Sequence, residues 1–588
     1  MTEEHSTPKR PITFTTPWQL MATRRAAMAY AGGAGMAALA ATRIGGVSAS
    51  SGPSAQRGLQ RNQDGGTLVY GLGFDVDGTL DPQVTFFDST IRVMLNVCEP
   101  LVWMPSATEI VPALAESWEA SEDGLSYTFK LKQGVTFHDG TPFNAEAVKY
   151  TYDRVVAIDQ FTAEQEAAGA TPEAVGTPDP EKIIAPGQSH DQIGPYSDSE
   201  IIDDYTIKMN LKTPFSPFLT GLNGYLGIVS PTAVESMGLA EFARKPVGTG
   251  PYKVEEWIEA DHITLTKNED YNWGSTFFDN QGPGSFDSIE FRIVGDRATR
   301  TLALLSDEMQ YIDDVDPLQL EDLRDNSDVV VIEQGQPGSG WILLFNMDRE
   351  GKPQMETEVR QALAYAVDKD AFNEAVFGGT NIPAASPLMK PTFAYEPKTE
   401  DLYTYDLDKA RAMLDEAGWV LNGDIREKDG QKLELSWPYQ DRENDRNMAT
   451  FIQGAWREIG VDVIAEPNER EAQRERRLSG DYDVSMLWFS YADPDILRSI
   501  FHTDNIGGFN YSRYSDPDID AWLDEGRTSQ DADARIAAYS QVQLKVVGDA
   551  ITIPLADSIT YNAKRANLQG DFLDFLASYV WWNDGHFE

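Results

Sequence analysis

Few residue types in this chain could do chemistry, and they are scattered. Among its 588 residues are six histidines and one cysteine. His5, His138, His190, His262, His502 and His586 never fall four apart, the spacing that lets two imidazoles on one helix face share a metal. Cys98 lies in the apolar stretch MLNVCEPL, the setting of a core thiol rather than a nucleophile. A lone cysteine also excludes an intramolecular disulfide and a thiolate cage. No serine has glycine two residues away on both sides, so the nucleophile elbow of the hydrolases is absent, and PGSGW around Ser339 lacks that spacing. DVDGTLDPQVTF, from Asp75, has the acids of a calcium loop, but Leu80 stands where glycine must turn and Phe86 where a glutamate must close the shell. RKPVGTGPYKVEEW places Gly248 and Gly250 before Lys253, as a phosphate loop would. A phosphate cradle needs backbone N–H groups and a following helix, and here Pro251 lacks the N–H. Two strands follow, Tyr252 to Ile258 and His262 to Lys267, around the turn Glu259-Ala260-Asp261. The glycines are therefore expected to permit a tight backbone bend. No cofactor, no metal site and no catalytic residue is expected. A secreted hydrolase using two carboxylates stays as the rival class, because among 94 acids chance pairs are ordinary.

The elements that would position a binding site are more legible. Leu125, Tyr127, Phe129 and Leu131 alternate with polar residues, the period of a half-buried strand. After the turn at Asp139-Gly140, Asn144 is the expected N-cap of a helix whose first turn carries Glu146. Residues from Ala168 to Ser199 are rich in Gly, Pro, Asp and Ser and read as a surface insertion. TEVRQALAYAVDKDAFNEAVFGG reads as one helix, with Val359, Ala362, Leu363, Ala366 and Val367 on its apolar stripe and Gly378-Gly379 at its end. NMATFIQGAWREIGVDVIAE reads as a helix burying Phe451, Ile452, Ala455, Trp456 and Ile459, stopped by Gly460 and followed by a strand. Helix–glycine–strand units of this kind imply α/β layers, and the length implies two or three domains. Asp and Glu total 94 against 48 Lys and Arg, for a net charge of −46, which argues against nucleic acid and anionic membranes as partners. At the N-terminus, Arg24-Arg25 precedes a short apolar run from Ala26 to Ala41 and the small-residue site Val47-Ser48-Ala49. That pattern is expected of a twin-arginine export signal over residues 1–49, followed by a polar leader over 50–64. No cysteine follows the apolar run, so no lipid anchor is expected.

Five separated stretches carry a family resemblance: SYTFKLKQGVTFHDGTPFNAEAVKYTYDRV, KPVGTGPYKVEEW, EVRQALAYAVDKDAF, AWREIGVDVIAE and GDYDVSMLWFSYADPD. In this order they resemble the family 5 extracellular solute-binding proteins of ABC transporters, the dipeptide-, oligopeptide- and nickel-binding relatives. The resemblance runs from about Gly65 to near the end. It implies an α/β, two-lobed periplasmic-binding-protein fold of the class II type, with an extra domain inserted in the first lobe. The implied divisions are 65–101, 224–302 and 558–588 for the main domain of lobe 1, 102–223 for the inserted domain, and 303–557 for lobe 2. It further implies a periplasmic or extracellular monomer that captures a small-molecule or peptide solute and hands it to separate permease and ATPase subunits.

The resemblance also implies where a ligand would lie. Leu487, Trp488, Phe489, Ser490, Tyr491 and Asp493 form the ligand strand and its exit, with Trp437 and Tyr439 nearby. Trp341 runs close to the hinge, and Phe74 and Asp75 face the ligand from the first lobe. Strand alternation leaves only one of Trp488 and Phe489 to face a cleft. Peptide-binding relatives carry an aspartate just after the Trp segment, pairing with the peptide amine, whereas here Tyr491 stands near that place and Asp493 follows. Peptide, oligosaccharide and other solutes therefore all stay open.

Overall fold

The computed structural model describes residues 65–588 apart from Asp77, Phe86, 168–187 and Ala577. The expected export signal and leader, and much of the expected surface insertion, lie outside the described residues.

β1 (Thr67–Leu72) buries Leu68, Tyr70 and Leu72 at alternate positions, as a strand in mid-sheet must. The chain then passes α1 (Asp88–Met94) into the inserted domain. There β2 (Ala115–Ala120) and β3 (Ser126–Leu131) pair, α2 (Ala145–Ala167) crosses them, and β4 (Tyr196–Asp203) and β5 (Thr206–Leu211) complete a sheet of order β2-β3-β5-β4. Asn144 caps α2, its Oδ1 accepting the Ala147 amide at 3.1 Å. Back in the main domain, β6 (Tyr252–Ile258) and β7 (His262–Lys267) form the expected hairpin, with Ala260 at φ 60° in its turn. β8 (Ser288–Ile293) and α3 (Arg297–Leu305) follow, then the short β9 (Tyr311–Ile312) and β10 (Val329–Gly335).

The second lobe begins with β11 (Gly338–Phe345). The helical stripe expected between Thr357 and Gly379 is two helices, α4 (Thr357–Tyr365) and α5 (Lys369–Phe377). The break has a local cause: Asp368 accepts the Ala371 amide at 3.0 Å and so caps a new helix. Gly378, at φ 61°, ends α5 as expected. Among the elements that follow are β12 (Ile382–Pro383), β13 (Glu434–Gln440), α6 (Glu443–Arg457), β14 (Asp462–Asn468), α7 (Arg470–Ser479), β15 (Val484–Ser490), α8 (Pro517–Thr528), α9 (Ala532–Gly548) and β16 (Thr552–Asp557). β17 (Ile559–Arg565) then returns to the first lobe.

Two sheets organise the lobes. The first has seven strands in the order β10-β17-β9-β1-β8-β7-β6, and the second has four in the order β12-β16-β11-β15. Because β9 and β10 belong to the first sheet and Ala303 packs beside β9, the chain leaves lobe 1 after Gly335 rather than at Ala303. It returns between Asp557 and Ile559. The two crossings lie side by side, with Gly335 paired to Ile559 and the Gln336 amide donating to the Ser558 carbonyl at 3.0 Å. Away from these crossings the inserted domain touches the second lobe again. The Ser216 amide donates to the Arg527 carbonyl at 2.8 Å, and the Tyr127 hydroxyl donates to Gln530 at 3.2 Å.

Candidate functional site

The glycine–threonine–glycine loop is a packing device. A Cβ at Gly248 would lie 2.1 Å from the Val97 carbonyl oxygen, and one at Gly250 would lie 2.5 Å from that of Asn96. The loop therefore presses against the backbone that leaves α1, which only glycine permits. Thr249 between them donates its hydroxyl to Glu99 at 2.9 Å. The Tyr271 hydroxyl and the Trp273 indole donate to the same carboxylate at 2.8 and 3.1 Å. Burial pushes the Glu99 carboxyl up, opposed by Lys132 and by these three donors. Cys98 beside it is buried, and burial raises its thiol well above the range of a reactive thiolate. His138 is pushed down to about 4 by burial, and its Nε2 faces the Gly250 carbonyl at 2.9 Å. Among the described residues no group of three His, Cys, Asp or Glu could hold a metal ion.

A ligand-sized recess lies in the second lobe, where a cavity of about 160 Å³ opens beside β15. Three walls form it. From β11 and β15, Trp341 and Trp488 stack, with ring centroids 5.7 Å apart and planes at 19°. Beyond them Phe489 meets Phe509 edge-on at 4.6 Å. Alternation had reserved the site for only one of Trp488 and Phe489, yet both line it. The reason is position: β15 is the edge of its sheet, and a recess alongside an edge meets side chains from both faces. The third wall is α7.

α7 carries REAQRERRLS, and Arg470, Gln473, Arg474 and Arg477 recur at the i, i+3, i+4, i+7 spacing of one helix face. All four line the recess, and Arg442 at the start of α6 joins them. The helix is held by its other contacts. Gln473 donates to the Pro438 carbonyl at 2.8 Å, Gly480 at φ 75° caps the C-terminus, and Arg476 pairs with Glu466 away from the recess. The Arg477 guanidinium lies 4.8 Å above the Tyr511 ring, and its Nη2 makes a long 3.5 Å contact to the Met486 carbonyl. This arginine face was not anticipated from the sequence, although its spacing is legible in RERR once the helix is known.

The expected site residues divide. Trp341, Leu487, Trp488 and Phe489 line the recess. Trp437 and Tyr439 do not, since both point from β13 into the core of lobe 2 and are 1% and 7% exposed. The next residue, Gln440, reaches the recess in their place. Ser490 pairs with Gly338, and the Tyr491 amide donates to the Pro337 carbonyl at 3.1 Å, so both hold the strand exit against the crossing. Asp493 is buried, its Oδ1 accepting from Arg535 at 2.6 Å and from the Asp495 amide at 2.9 Å. In the first lobe Phe74 is exposed beyond β1. Asp75 ties that loop to the β6–β7 turn, with its two oxygens accepting the Val76 and Ala260 amides at 2.7 and 3.0 Å. Burial raises its carboxyl against the pull of those two bonds.

Comparison with known proteins agrees with this architecture. The model of the bacterial extracellular solute-binding proteins, family 5 Middle, matches residues 109–508. The dipeptide-binding protein of Escherichia coli (strain K12) is 28% identical over 541 residues, 89% of this chain and 94% of that protein. Heme-binding protein A of Haemophilus influenzae is 30% identical over 478 residues, 79% of this chain and 82% of that protein. The solved structure of HbpA2 from Haemophilus parasuis superposes with a TM-score of 0.75 at 26% identity, covering 89% of this chain and all of that one.

Proposed function

The chain belongs to the bacterial extracellular solute-binding proteins of family 5, and from that premise we propose that it captures a peptide-type solute for an ABC importer. The solute would lie along β15 in the recess of the second lobe, closed over by the first lobe, with Phe74 the exposed apolar side chain beyond β1. The observation that carries this reading is the recess itself, with a stacked indole pair beside an unpaired strand edge. A strand edge offers backbone N–H and C=O groups to an extended chain, and the indoles offer flat apolar area. Nothing in the recess resembles a catalytic constellation: it holds no paired carboxylates and no nucleophile with a base among the described residues. Contacts such as Ser216 with Arg527 then belong to the closed arrangement, which ligand binding favours because the ligand touches both lobes only there. The protein would act as an exported monomer, carried by the twin-arginine route, and the permease and ATPase would be separate chains that read the closed form.

A thermal-shift series on the purified chain tests this, with pooled di- and tripeptides in one arm and oligosaccharides in the other. A peptide at 100 times its dissociation constant should add about 2.7 kcal/mol to the stability. The shift should vanish in a Trp341→Ala/Trp488→Ala double variant. A shift that survives the double variant would place the ligand elsewhere. A shift with oligosaccharides alone would replace the peptide reading by a sugar one.

A further inference from the structure

We propose that the recess is a subsite for a single aromatic side chain of the solute, so that the peptides captured are those carrying a phenyl or phenol ring. The inference rests on the solute-binding reading of the recess and adds the side-chain class that it takes. Five aromatic rings line the one cavity, those of Trp341, Trp488, Phe489, Phe509 and Tyr511, and each is only partly buried. They belong to two rows. Phe377, Trp341 and Trp488 succeed one another at centroid distances of 5.6 and 5.7 Å. Phe489, Phe509 and Tyr511 follow edge to face at 4.6 and 6.1 Å. Both rows reach the cavity, where ring surface is left for a further ring to cover. Every described lining residue lies between Trp341 and Tyr511, in the second lobe, so the subsite is formed without the first lobe.

Volume and charge then select the occupant. The cavity measures about 160 Å³, and an apolar protein cavity of about 150 Å³ holds one benzene ring. The recess is therefore the size of a side chain, and the rest of the solute must lie outside it, along the edge of β15. An extended peptide there presents alternate side chains to one face, which lets one of them enter while the backbone stays at the strand. The arginines at the recess do not call for a charged group. Arg442 pairs with Asp445 at 2.9 Å, and Arg477 lies within electrostatic reach of the same carboxylate. Arg477 also covers the Tyr511 ring, and Arg470 and Arg474 are engaged as well. Selection is left to shape and to the rings. An aromatic side chain gains edge and face contacts with its neighbours beyond the burial of its area, whereas a leucine gains burial alone.

The test measures binding to the purified full chain by calorimetry, with Ala-Phe, Phe-Ala, Ala-Leu, Leu-Ala, Ala-Ala and 3-phenylpropionate as probes. The better phenylalanine dipeptide should bind roughly two- to tenfold more tightly than its leucine counterpart, with Ala-Ala the weakest. Phe509→Leu removes one ring but keeps an apolar wall. It should at least halve the phenylalanine-to-leucine ratio with little change in melting temperature. Leu478→Trp, at an exposed lining position, should fill the cavity and weaken the phenylalanine dipeptide by more than it weakens Ala-Ala. Equal affinity for the phenylalanine and leucine dipeptides would overturn the ring inference and leave the peptide reading standing. Binding of 3-phenylpropionate without any dipeptide would do the reverse. An equal loss for the phenylalanine dipeptide and Ala-Ala in Leu478→Trp would put the peptide backbone in the recess and overturn the inference, as would an unchanged ratio in Phe509→Leu. Silence from all six probes would overturn both readings.

Discussion

The lobes each hold a cluster of buried polar groups around a charge, and the clusters end differently. In the first lobe Glu99 accepts from Thr249, Tyr271 and Trp273, so the carboxylate and its donors are mutually satisfied. In the second lobe two buried donors beside a cavity, the Arg477 Nε and the Trp488 Nε1, have no acceptor among the described residues. The first arrangement is complete without anything added, and rigidifies the junction between α1 and the glycine loop. The second leaves those two donors unmatched. The contrast teaches a rule for reading such molecules: a satisfied buried charge reports on folding, and a donor set aimed into a cavity reports on the ligand.

The largest test of this contrast removes the satisfied charge. Glu99→Ala strands three donors and should cost roughly 3–5 kcal/mol of stability, seen as a lowered melting temperature, with peptide affinity unchanged in the protein that folds. A changed affinity would join the two clusters into one site. Next, Gly248→Ala forces a methyl to within 2.1 Å of the Val97 carbonyl oxygen and should cost about 1–3 kcal/mol by the same readout. A third test uses a group that belongs to neither class. Asp557, at the end of β16, accepts the Lys390 amide at 3.1 Å, but its Oδ1 is buried without a partner. Burial lifts its carboxyl from 3.8 to about 7, while Lys369 nearby is pushed down to about 8. A carboxyl raised on folding favours the native state at low pH. That benefit is full below its unfolded value and is lost as pH rises through about 7. Asp557→Asn should therefore raise the melting temperature by a few degrees near pH 8 and by little near pH 4, the loss of its attraction for Lys369 trimming the gain. An equal shift at both values would mean the carboxyl is not the cause. The smallest effect belongs to Ser216→Ala, which removes hydroxyl bonds to the Arg527 and Gly526 carbonyls. It should weaken peptide affinity a few-fold, and an unchanged affinity would separate that contact from closure.

Much of the fold was legible because local rules and tertiary packing agree there. The β6–β7 hairpin, the Asn144 cap and the Gly378 stop all follow from residues within a turn of where they act. The merged helix at Ala366–Asp368 was misread because its apolar stripe continues across the break, while the capping bond of Asp368 depends on one side chain. The start of the second lobe was misplaced because β9 and β10 join a sheet whose other strands lie far away in sequence. The site was half legible. Trp341 and Trp488 belong to strands that the resemblance aligns, but Trp437 sits in a strand of the same apolar pattern, and only its partners decide that it faces the core. The arginine face of α7 was missed because cations on a helix ordinarily mean a solvated surface. What makes Arg470, Arg474 and Arg477 different is the cavity they meet, which spacing cannot reveal.

The paired crossings between the lobes have a mechanical consequence. Gly335 with Ile559, and Gln336 with Ser558, make the connection a two-stranded tape rather than two independent cords. A tape hydrogen-bonded along its length resists stretching and in-plane shear but bends readily across its thin direction. In the proposed closure the lobes would thereby be steered along one swing, so that the same faces would meet each time. Stiffness in that tape would then set how hard the two postures of that proposal are to interchange. The crossing strands and the recess lie in different stretches of the chain, so a hinge and a binding wall built from them could be altered one at a time.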